Sequence, residues 1–457
     1  MKKIIKISFV FLLMIVVLVY LIGFYIFSNY FYPKTYVNGK NLGLTKITDL
    51  KKNYELKNIN LTIISKEGKD VINPVDFKFS DKLNSRAEAK QVPISWFVSM
   101  FFEHRYDTEH SFNFDEDEFN KIYDNLKFVK AEKIPSQDAY IAYENNKFLI
   151  KKEILGNELI VKDIKSNILK SFESGSNILD LEKEDLYIKP KIYSDSPILE
   201  KELSQKNKLA NLKVTYNFSD RKEILEGDKL VDLYTSDING DLYPNRDKIK
   251  AYIYYLSDKY DTFKSDRIFY ATGIGYVSVK GGIYGWSTDI EKSTDELLKI
   301  LESKESKEIE PIYKLTAKNR GLNDIGNTYI EIDLARQTMW LYKEGNLIAS
   351  TPIVSGNVSK GFATPTGTGK IWSREKNRYL TGQDYNSLVS YWMPFNWSGC
   401  GLHDSSWRSD YGKDIYLQHG SHGCINTPPD IMPLIFDNAL NGTAVVVYDS
   451  NVDKVNM

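Results

Sequence analysis

The reactive side chains of this chain gather in one short stretch. The sequence contains two cysteines, Cys400 and Cys424, and five histidines, of which His403, His419 and His422 also lie between positions 400 and 424. A thiolate attacks acyl carbons well, but a free cysteine is mostly protonated at neutral pH, so catalysis needs a nearby base and donors for an oxyanion. The stretch therefore predicts cysteine-dependent acyl transfer.

Within this stretch, Cys424 is the predicted nucleophile. His403 lies 21 residues upstream on a separate segment and is the proposed general base. His422 points to the same side as Cys424 in an extended chain, so it is either a secondary base or a residue that lines the site. Gly423 permits a backbone turn that presents N–H groups to a substrate carbonyl. These patterns leave the choice between the two histidines open.

Four motifs surround these residues in a fixed order. They are Thr364-Pro365-Thr366-Gly367, Tyr391-Trp392-Met393-Pro394-Phe395, Gly401-Leu402-His403-Asp404 and Gly420-Ser421-His422-Gly423-Cys424-Ile425-Asn426. Together they resemble the catalytic domain of L,D-transpeptidases of the YkuD type, over about 120 residues. A lone Ser-His-Gly-Cys would be a weak signal, whereas four motifs in order are specific.

The resemblance implies a reaction on peptidoglycan. Cys424 would attack the carbonyl of the third residue of a tetrapeptide stem and expel the terminal D-alanine, and an amine on a neighbouring stem would then attack the thioester. The product is a 3→3 cross-link. The implied partners are donor and acceptor stem peptides, no cofactor or metal is expected, and carbapenems are expected to acylate the same sulfur.

The resemblance also assigns roles to neighbouring residues. Substrate binding is expected from Ser421, Asn426, Asp404, Tyr391 and Trp392. The backbone of Gly423 and Cys424 is expected to form the oxyanion hole, and the Asp404 backbone or a nearby group to orient the second nitrogen of His403.

Three alternative functions stay open on the sequence. An L,D-carboxypeptidase would resolve the same thioester with water. A zinc hydrolase could use His403, His419, His422 and Cys424 as ligands, although their spacing matches no common zinc motif. A wall-binding protein without catalysis is the third.

An apolar segment places this chemistry outside the cytoplasm. Ile7 to Phe27 holds 21 residues without a charge, and Lys2, Lys3 and Lys6 precede it. A helix of that length is about 30 Å long and spans a bilayer core. The lysines predict a cytoplasmic N-terminus and a single-pass membrane protein whose catalytic domain faces the cell wall. The alternative is a cleaved signal peptide, but no small-residue cleavage site follows Phe27.

The remaining chain must position the site. Its 457 residues carry 60 basic and 61 acidic side chains, a near-balance that gives no reason to expect a nucleic-acid partner. The predicted fold is multidomain, with α+β middle domains and a mostly-β, β-sandwich-like C-terminal catalytic domain. The predicted segments are a cytoplasmic tail (1–6), a transmembrane anchor (7–27), an α+β domain resembling peptidoglycan-binding domains (33–205), a second α+β unit (212–315) and the catalytic domain (327–449).

Local patterns predict several elements. Residues 115–126 and 161–173 favour helices, residues 138–150 a hairpin across Asn145-Asn146, and residues 444–448 a closing strand. A hinge is expected at 200–208 and a linker at 316–326. Ser293 is the predicted cap of one helix and Thr427 that of another.

Overall fold

The computed structural model describes residues 2–37, 39–50, 59–83, 91–106, 110–160, 164–382 and 385–455. The chain folds as two compact units. The first comprises Met1–Tyr140 with Lys151–Ser194, and the second comprises Ile141–Ile150 with Asp195–Met457. The sequence separates 212–315 from 327–449, and both segments lie in the second unit.

Helices occur in both units. They are α1 (Lys2–Asn29), α2 (Trp96–Ser99), α3 (Glu116–Asp124), α4 (Lys127–Lys130), α5 (Ile164–Glu173), α6 (Pro197–Leu209), α7 (Gly227–Val231), α8 (Arg246–Tyr260), α9 (Ile290–Ser303), α10 (Ile415–His419) and α11 (Met432–Asn438). Short 3-10 turns occupy Ile47–Asp49, Pro74–Phe77 and Pro93–Ser95.

Strands are short in the first unit and longer near the C-terminus. They are β1 (Thr35–Val37), β2 (Lys40–Asn41), β3 (Leu61–Ser65), β4 (Gly68–Ile72), β5 (Ser80–Leu83), β6 (His104–Tyr106), β7 (His110–Asn113), β8 (Tyr140–Glu144), β9 (Lys147–Lys151), β10 (Ile178–Asp180), β11 (Lys213–Asn217), β12 (Lys222–Glu226), β13 (Tyr234–Ser236), β14 (Leu242–Pro244), β15 (Arg267–Ala271), β16 (Gly275–Val279), β17 (Ser287–Thr288), β18 (Lys307–Ile309), β19 (Tyr313–Leu315), β20 (Tyr329–Asp333), β21 (Thr338–Lys343), β22 (Asn346–Pro352), β23 (Gly367–Lys370), β24 (Glu375–Thr381), β25 (Asn386–Pro394), β26 (Gly401–Asp404), β27 (Ile425–Thr427) and β28 (Ala444–Tyr448).

Helix α1 begins the first unit. Among the described residues it is the one helix long and apolar enough to cross a membrane, with a mean hydropathy of 3.0 over its most apolar window. Its side chains between Ile4 and Ile22 are exposed. An apolar helix with its surface uncovered matches a lipid environment better than the core of a soluble domain.

Two predicted elements of the middle region form as expected. Helix α3 starts after Asp115, whose Oδ1 accepts a hydrogen bond from the Glu118 N–H at 3.2 Å. Strands β8 and β9 form the predicted hairpin, and Asn145 and Asn146 both have positive φ (51° and 62°). Positive φ at both central residues defines the tight turn that suits a two-residue hairpin, and asparagine tolerates it well.

Three predictions of local boundaries are wrong. Residues 200–208 lie inside α6 instead of a hinge. Helix α9 is capped by Asp289, whose side chain accepts from the Lys292 N–H, and the predicted cap Ser293 is buried within the helix. Thr427 belongs to β27, and α11 begins only at Met432. The Asp289 cap obeys the same local capping rule as the predicted one, four residues earlier in the chain.

The predicted linker at 316–326 is a packed part of the second unit. Asp324 is buried and accepts hydrogen bonds from Arg267 (Nη2 to Oδ2, 2.7 Å) and from the Thr262 hydroxyl. The Arg320 guanidinium lies against the rings of Phe218 and Trp286. An Asn- and Gly-rich composition indicated a linker, but buried polar partners hold this segment in place.

The C-terminal part of the second unit is strand-rich. One sheet has the order β22-β21-β20-β28-β23, and a second has the order β24-β25-β26-β27. A buried cluster draws side chains from both sheets, such as Ile332 and Val447 of the first with Leu402 and Ile425 of the second. The predicted fold class is confirmed: an apolar N-terminal helix, a mixed α/β middle region and a strand-rich C-terminal domain.

Candidate active site

Cys424 closes a sharp turn between α10 and β27. Gly423 has a φ of +114°, a conformation that favours glycine, and a Cβ there would come within 3.0 Å of the Cys400 sulfur. The Thr364 hydroxyl donates to the Gly423 carbonyl at 2.8 Å and accepts from the Gly356 N–H at 3.0 Å. The motif that contains Thr364 therefore holds the cysteine turn in place.

Ser421 stabilises the same turn from inside. Its hydroxyl donates to the Cys424 carbonyl at 2.5 Å and accepts a hydrogen bond from the Gly423 N–H at 3.0 Å. The sequence assigned the Gly423 N–H to an oxyanion hole. In this structure that donor is already engaged by Ser421, so it reaches a substrate oxygen only if this bond is exchanged.

His403 lies in the middle of the second sheet. It is 3% exposed, and its ring centroid lies 6.0 Å from that of Trp392 and 5.8 Å from that of Trp407. Its Nδ1 is 2.9 Å from the Asp404 carbonyl oxygen, which makes Nδ1 the protonated nitrogen. Burial lowers the pKa of His403 from its ordinary value, so the ring is neutral at pH 7.

The Asn426 side chain forms hydrogen bonds with both His403 and the Arg408 guanidinium. Strands β26 and β27 run parallel with His403 opposite Asn426. In the amide orientation that satisfies both neighbours, the Asn426 nitrogen donates to His403 Nε2 at 3.2 Å and its oxygen accepts from Arg408 Nε at 2.6 Å. Arg408 also donates to the His419 carbonyl at 2.7 Å. The lone pair of His403 Nε2 therefore already accepts a hydrogen bond from the Asn426 amide.

A cavity of about 230 Å³ opens over these groups. Its lining combines the cysteine turn, the buried histidine and a loop from the neighbouring hairpin. The lining residues are Leu380, Tyr385, Ser387, His403, Trp407, Arg408, Gly420, Ser421, His422, Cys424 and Asn426. A nucleophile, a neutral imidazole and hydrogen-bonding groups thus share one concave surface.

Burial controls the protonation of the thiol. It raises the pKa of Cys424 to about 11, although a hydrogen bond that the sulfur accepts from the Gly401 backbone acts in the opposite direction. Cys424 keeps part of its surface open, whereas Cys400 is buried, and both thiols are free. Together with the lowered pKa of His403, this describes a resting site with a neutral thiol and a neutral imidazole.

His422 differs from His403 in its surroundings. It is exposed, and its ring lies 4.6 Å from that of Phe362 and 5.0 Å from that of Tyr385, measured between centroids. His419 is also exposed and lies at the end of α10. Within the described part of the chain, no three His, Cys, Asp or Glu side chains are grouped so as to hold one metal ion.

Two known protein families match separate parts of this chain. Residues 327–447 match the family "L,D-transpeptidase catalytic domain" (YkuD), and residues 200–310 match the family "Putative peptidoglycan binding domain". No curated protein matches the chain. Among solved structures, that of the carbamoyl enzyme of Ldtfm with avibactam is 35% identical, with a TM-score of 0.50, and the match covers 55% of this chain and 99% of that one. The chain belongs to the L,D-transpeptidase family.

Two further L,D-transpeptidase structures are from Enterococcus faecium. A cysteine-to-serine mutant is 34% identical, with a TM-score of 0.49, and the match covers 54% of this chain and 100% of that one. A catalytic domain acylated by ertapenem is 45% identical, with a TM-score of 0.25, and the match covers 27% and 98%. The match to the peptidoglycan-binding family covers residues 200–310 and so falls on the unit predicted at 212–315. The sequence had predicted the resemblance to that family for the preceding domain, at 33–205.

Three residues expected to bind substrate lie outside the cavity of this L,D-transpeptidase. The Asp404 carboxylate accepts from the N–H groups of Ser390 (3.0 Å) and Tyr391 (2.8 Å), so it links two strands. Tyr391 packs on Phe436. Trp392 is buried against Gly401, where a Cβ would come within 2.5 Å of its ring. Their motif identifies the family, but their side chains stabilise the sheet.

Three further cavity residues carry no motif that points to them in the sequence. Trp407 and Arg408 follow the His403-Asp404 strand, and Tyr385 lies in the β24–β25 loop. Large aromatic and cationic side chains in a polar loop next to a catalytic motif could have predicted these cavity residues. Loops on a rigid scaffold commonly carry binding and catalytic groups. Their distance from Cys424 along the chain hides their proximity.

Proposed function

We propose that this protein is a membrane-anchored peptidoglycan L,D-transpeptidase that works through a Cys424 thioester. The observation that carries the proposal is the shared cavity of Cys424 and His403 within a domain of the L,D-transpeptidase family. The related Ldtfm structure is that of a carbamoyl enzyme, which is a covalent acyl-type adduct and fits a nucleophilic residue in this family.

In the proposed acylation, Cys424 attacks the carbonyl carbon of the third residue of a donor stem. His403 Nε2 takes the thiol proton, which requires the Asn426 amide to release that nitrogen. The carbon–sulfur bond forms, the peptide bond to the terminal D-alanine breaks, and the leaving amine takes the proton from His403. The Cys424 N–H, with that of Gly423 after release from Ser421, would stabilise the oxyanion.

In the proposed second step, an amine of the acceptor stem attacks the thioester carbonyl. The amine loses a proton to His403, the carbon–sulfur bond breaks and the Cys424 sulfur leaves with that proton. The product is the 3→3 cross-link. Ser421 and Asn426 are proposed to hold the turn and the imidazole, while the aromatic rings of Tyr385 and Trp407 provide apolar surface for the stem.

The location of the enzyme is part of the same proposal. Helix α1 is exposed, and its apolar span from Ile7 to Phe27 follows three lysines, which favours an uncleaved anchor with a cytoplasmic N-terminus. The peptidoglycan-binding match at 200–310 supports a substrate in the cell wall. Under this proposal α1 holds the chain at the outer face of the membrane, and both matched domains act on the wall from there.

Intact mass after incubation with a carbapenem tests the nucleophile. The full chain in detergent is expected to gain the mass of one carbapenem, to lose that adduct in Cys424→Ala and to keep it in the matched variant Cys400→Ala. No adduct on the wild-type protein, or an adduct that survives Cys424→Ala, would contradict the assignment. Analysis of muropeptides formed with and without an added acceptor stem then separates transpeptidation from hydrolysis.

A further inference from the structure

An uncharged apolar segment occupies residues 91–102 of the first unit. From Gln91 to Phe102 there is no charged residue. Six large apolar side chains of this segment are between 54 and 65% exposed: Val92, Ile94, Phe97, Val98, Phe101 and Phe102. A cluster of this kind on a protein surface marks a contact with another apolar phase, since water is a poor solvent for it.

The segment is attached to the outer turns of α1. The Trp96 ring covers Gly23, where a Cβ would come within 2.2 Å of it, and it stacks on Phe27 with a centroid distance of 5.7 Å. Trp96 Nε1 donates to the Tyr20 carbonyl at 3.1 Å, and the Tyr20 hydroxyl donates to the Ile94 carbonyl at 2.6 Å. A glycine inside the apolar helix thus makes room for one tryptophan.

The contacts with Tyr20, Gly23 and Phe27 fix the position of Trp96 along the axis of α1. Tyr20 lies seven residues before Phe27, the last residue of the uncharged span. At the helical rise, Tyr20 is about 10 Å below the outer end of the span. Helices that lie in a membrane interface bury their apolar face by roughly 5–10 Å. Trp96 therefore lies at the depth of the outer acyl chains whenever α1 spans a bilayer.

The polar groups of the segment are largely satisfied from within the unit. The Val92 carbonyl accepts from the Tyr32 hydroxyl at 2.8 Å, and the Ser95 N–H donates to the same carbonyl at 3.0 Å. The Met100 N–H donates to the Trp96 carbonyl at 3.0 Å. Internal hydrogen bonding of the backbone is what a lipid environment requires, because lipid offers no replacement partner.

We infer that residues 91–102 insert into the outer leaflet as a second membrane contact beside α1, with lipid acyl chains as the occupant of their exposed face. The inference rests on the proposed anchoring by α1. Continuity with that helix favours lipid over a separate protein partner. The segment would restrict the tilt and rotation of the first unit at the membrane surface, which a single helix followed by a loop cannot do.

Tryptophan quenching by brominated phosphatidylcholine tests this inference on the full chain in vesicles. Helix α1 contains no tryptophan, and Trp96 is one of seven in the chain, the other six lying from Trp286 onward. Lipids brominated near the headgroup are expected to quench one component of the emission more strongly than lipids brominated near the chain ends. That component should be absent in Trp96→Phe.

Paired variants separate lipid insertion from general effects. Phe97→Asp combined with Phe101→Asp is expected to reduce the Trp96 quenching at least severalfold, because buried charge is costly in hydrocarbon. Val71→Asp combined with Val75→Asp, at equally exposed positions of the same unit, should leave it unchanged.

The remaining outcomes would overturn the inference in distinguishable ways. Flotation of the vesicles in a density gradient shows whether the protein is bound to them. If the protein floats with the vesicles but shows no quenching that depends on Trp96, the inference is wrong and the proposed anchor stands. A chain that does not float overturns the proposed anchor as well. Quenching that falls as the protein-to-lipid ratio rises indicates a second copy of the chain as the occupant, in place of lipid.

Discussion

At the scale of residues, the site combines a reactive group with an environment that keeps it at rest. Burial raises the pKa of Cys424 to about 11 and lowers that of His403, and Asn426 donates to the nitrogen that would accept the proton. A neutral pair avoids the cost of placing two charges in a poorly solvated pocket. On the proposed mechanism, proton transfer then accompanies substrate binding.

This resting state predicts the pH dependence of thiol alkylation. With a pKa of about 11 for Cys424, the thiolate fraction rises about tenfold for each pH unit below that value, and His403 stays neutral over the same range. The iodoacetamide rate at Cys424 should therefore rise about tenfold per unit from pH 7 to 9. Mass spectrometry of Cys400→Ala isolates this thiol. A rate that is constant between pH 6 and 8 would instead indicate a thiolate–imidazolium pair.

At the scale of elements, two short pieces of chain position the histidines differently. Strand β26 lies between β25 and β27, so it buries His403 in the sheet with its Nδ1 oriented by Asp404. His422 belongs to the cysteine turn and is exposed between two aromatic rings. A base needs a fixed ring and a defined tautomer, which favours the histidine on the strand.

Substitution of each histidine by glutamine tests that difference. His403→Gln is expected to lower the acylation rate by about 10²–10⁴, the usual contribution of a general base. His422→Gln should change it less than tenfold, because an exposed ring mainly lines the cavity. Stopped-flow fluorescence with a carbapenem measures both rates, and unchanged thermal unfolding controls for misfolding. The reverse order of effects would assign the base role to His422.

At the scale of the whole molecule, the second unit joins the region that matches the peptidoglycan-binding family to the catalytic domain through buried contacts. Arg267 donates to Asp324 and to Thr368 in β23 of the catalytic domain. A mixed cluster that includes Phe269 of β15 and Tyr448 of β28 packs beside this pair. The two matched regions therefore share a core.

Removal of one partner of the buried pair should destabilise the unit as a whole. Arg267→Ala leaves the Asp324 carboxylate unpaired and is expected to cost about 3–5 kcal/mol. The exposed pair of Arg246 with Glu291 offers a matched control, since Arg246→Ala should cost less than about 1 kcal/mol. Urea unfolding followed by tryptophan fluorescence measures both. A cost below 1 kcal/mol for Arg267→Ala would show that the contact does not couple the two regions.

Several features follow from the sequence alone. Motif order identified the family, because reactive side chains are rare and their spacing is constrained by the chemistry. Local rules correctly placed the apolar helix, the Asn145-Asn146 hairpin and the closing strand, since hydrophobicity, positive φ and alternation act within a few residues. The crowding of reactive side chains and the motifs singled out Cys424 and His403, whose roles as nucleophile and base belong to the proposed function.

Tertiary structure decided what depends on distant neighbours. Asp404, Tyr391 and Trp392 belong to the family motifs, but their side chains make structural contacts outside the cavity. Tyr385, Trp407 and Arg408 line the cavity from two separate loops. The predicted Asn-rich linker is fastened to the second unit because Arg267 and Thr262 donate hydrogen bonds to the buried Asp324 carboxylate. The sequence determined which groups can react, and folding determined which of them meet, because burial and hydrogen-bond partners are set by residues far apart in the chain.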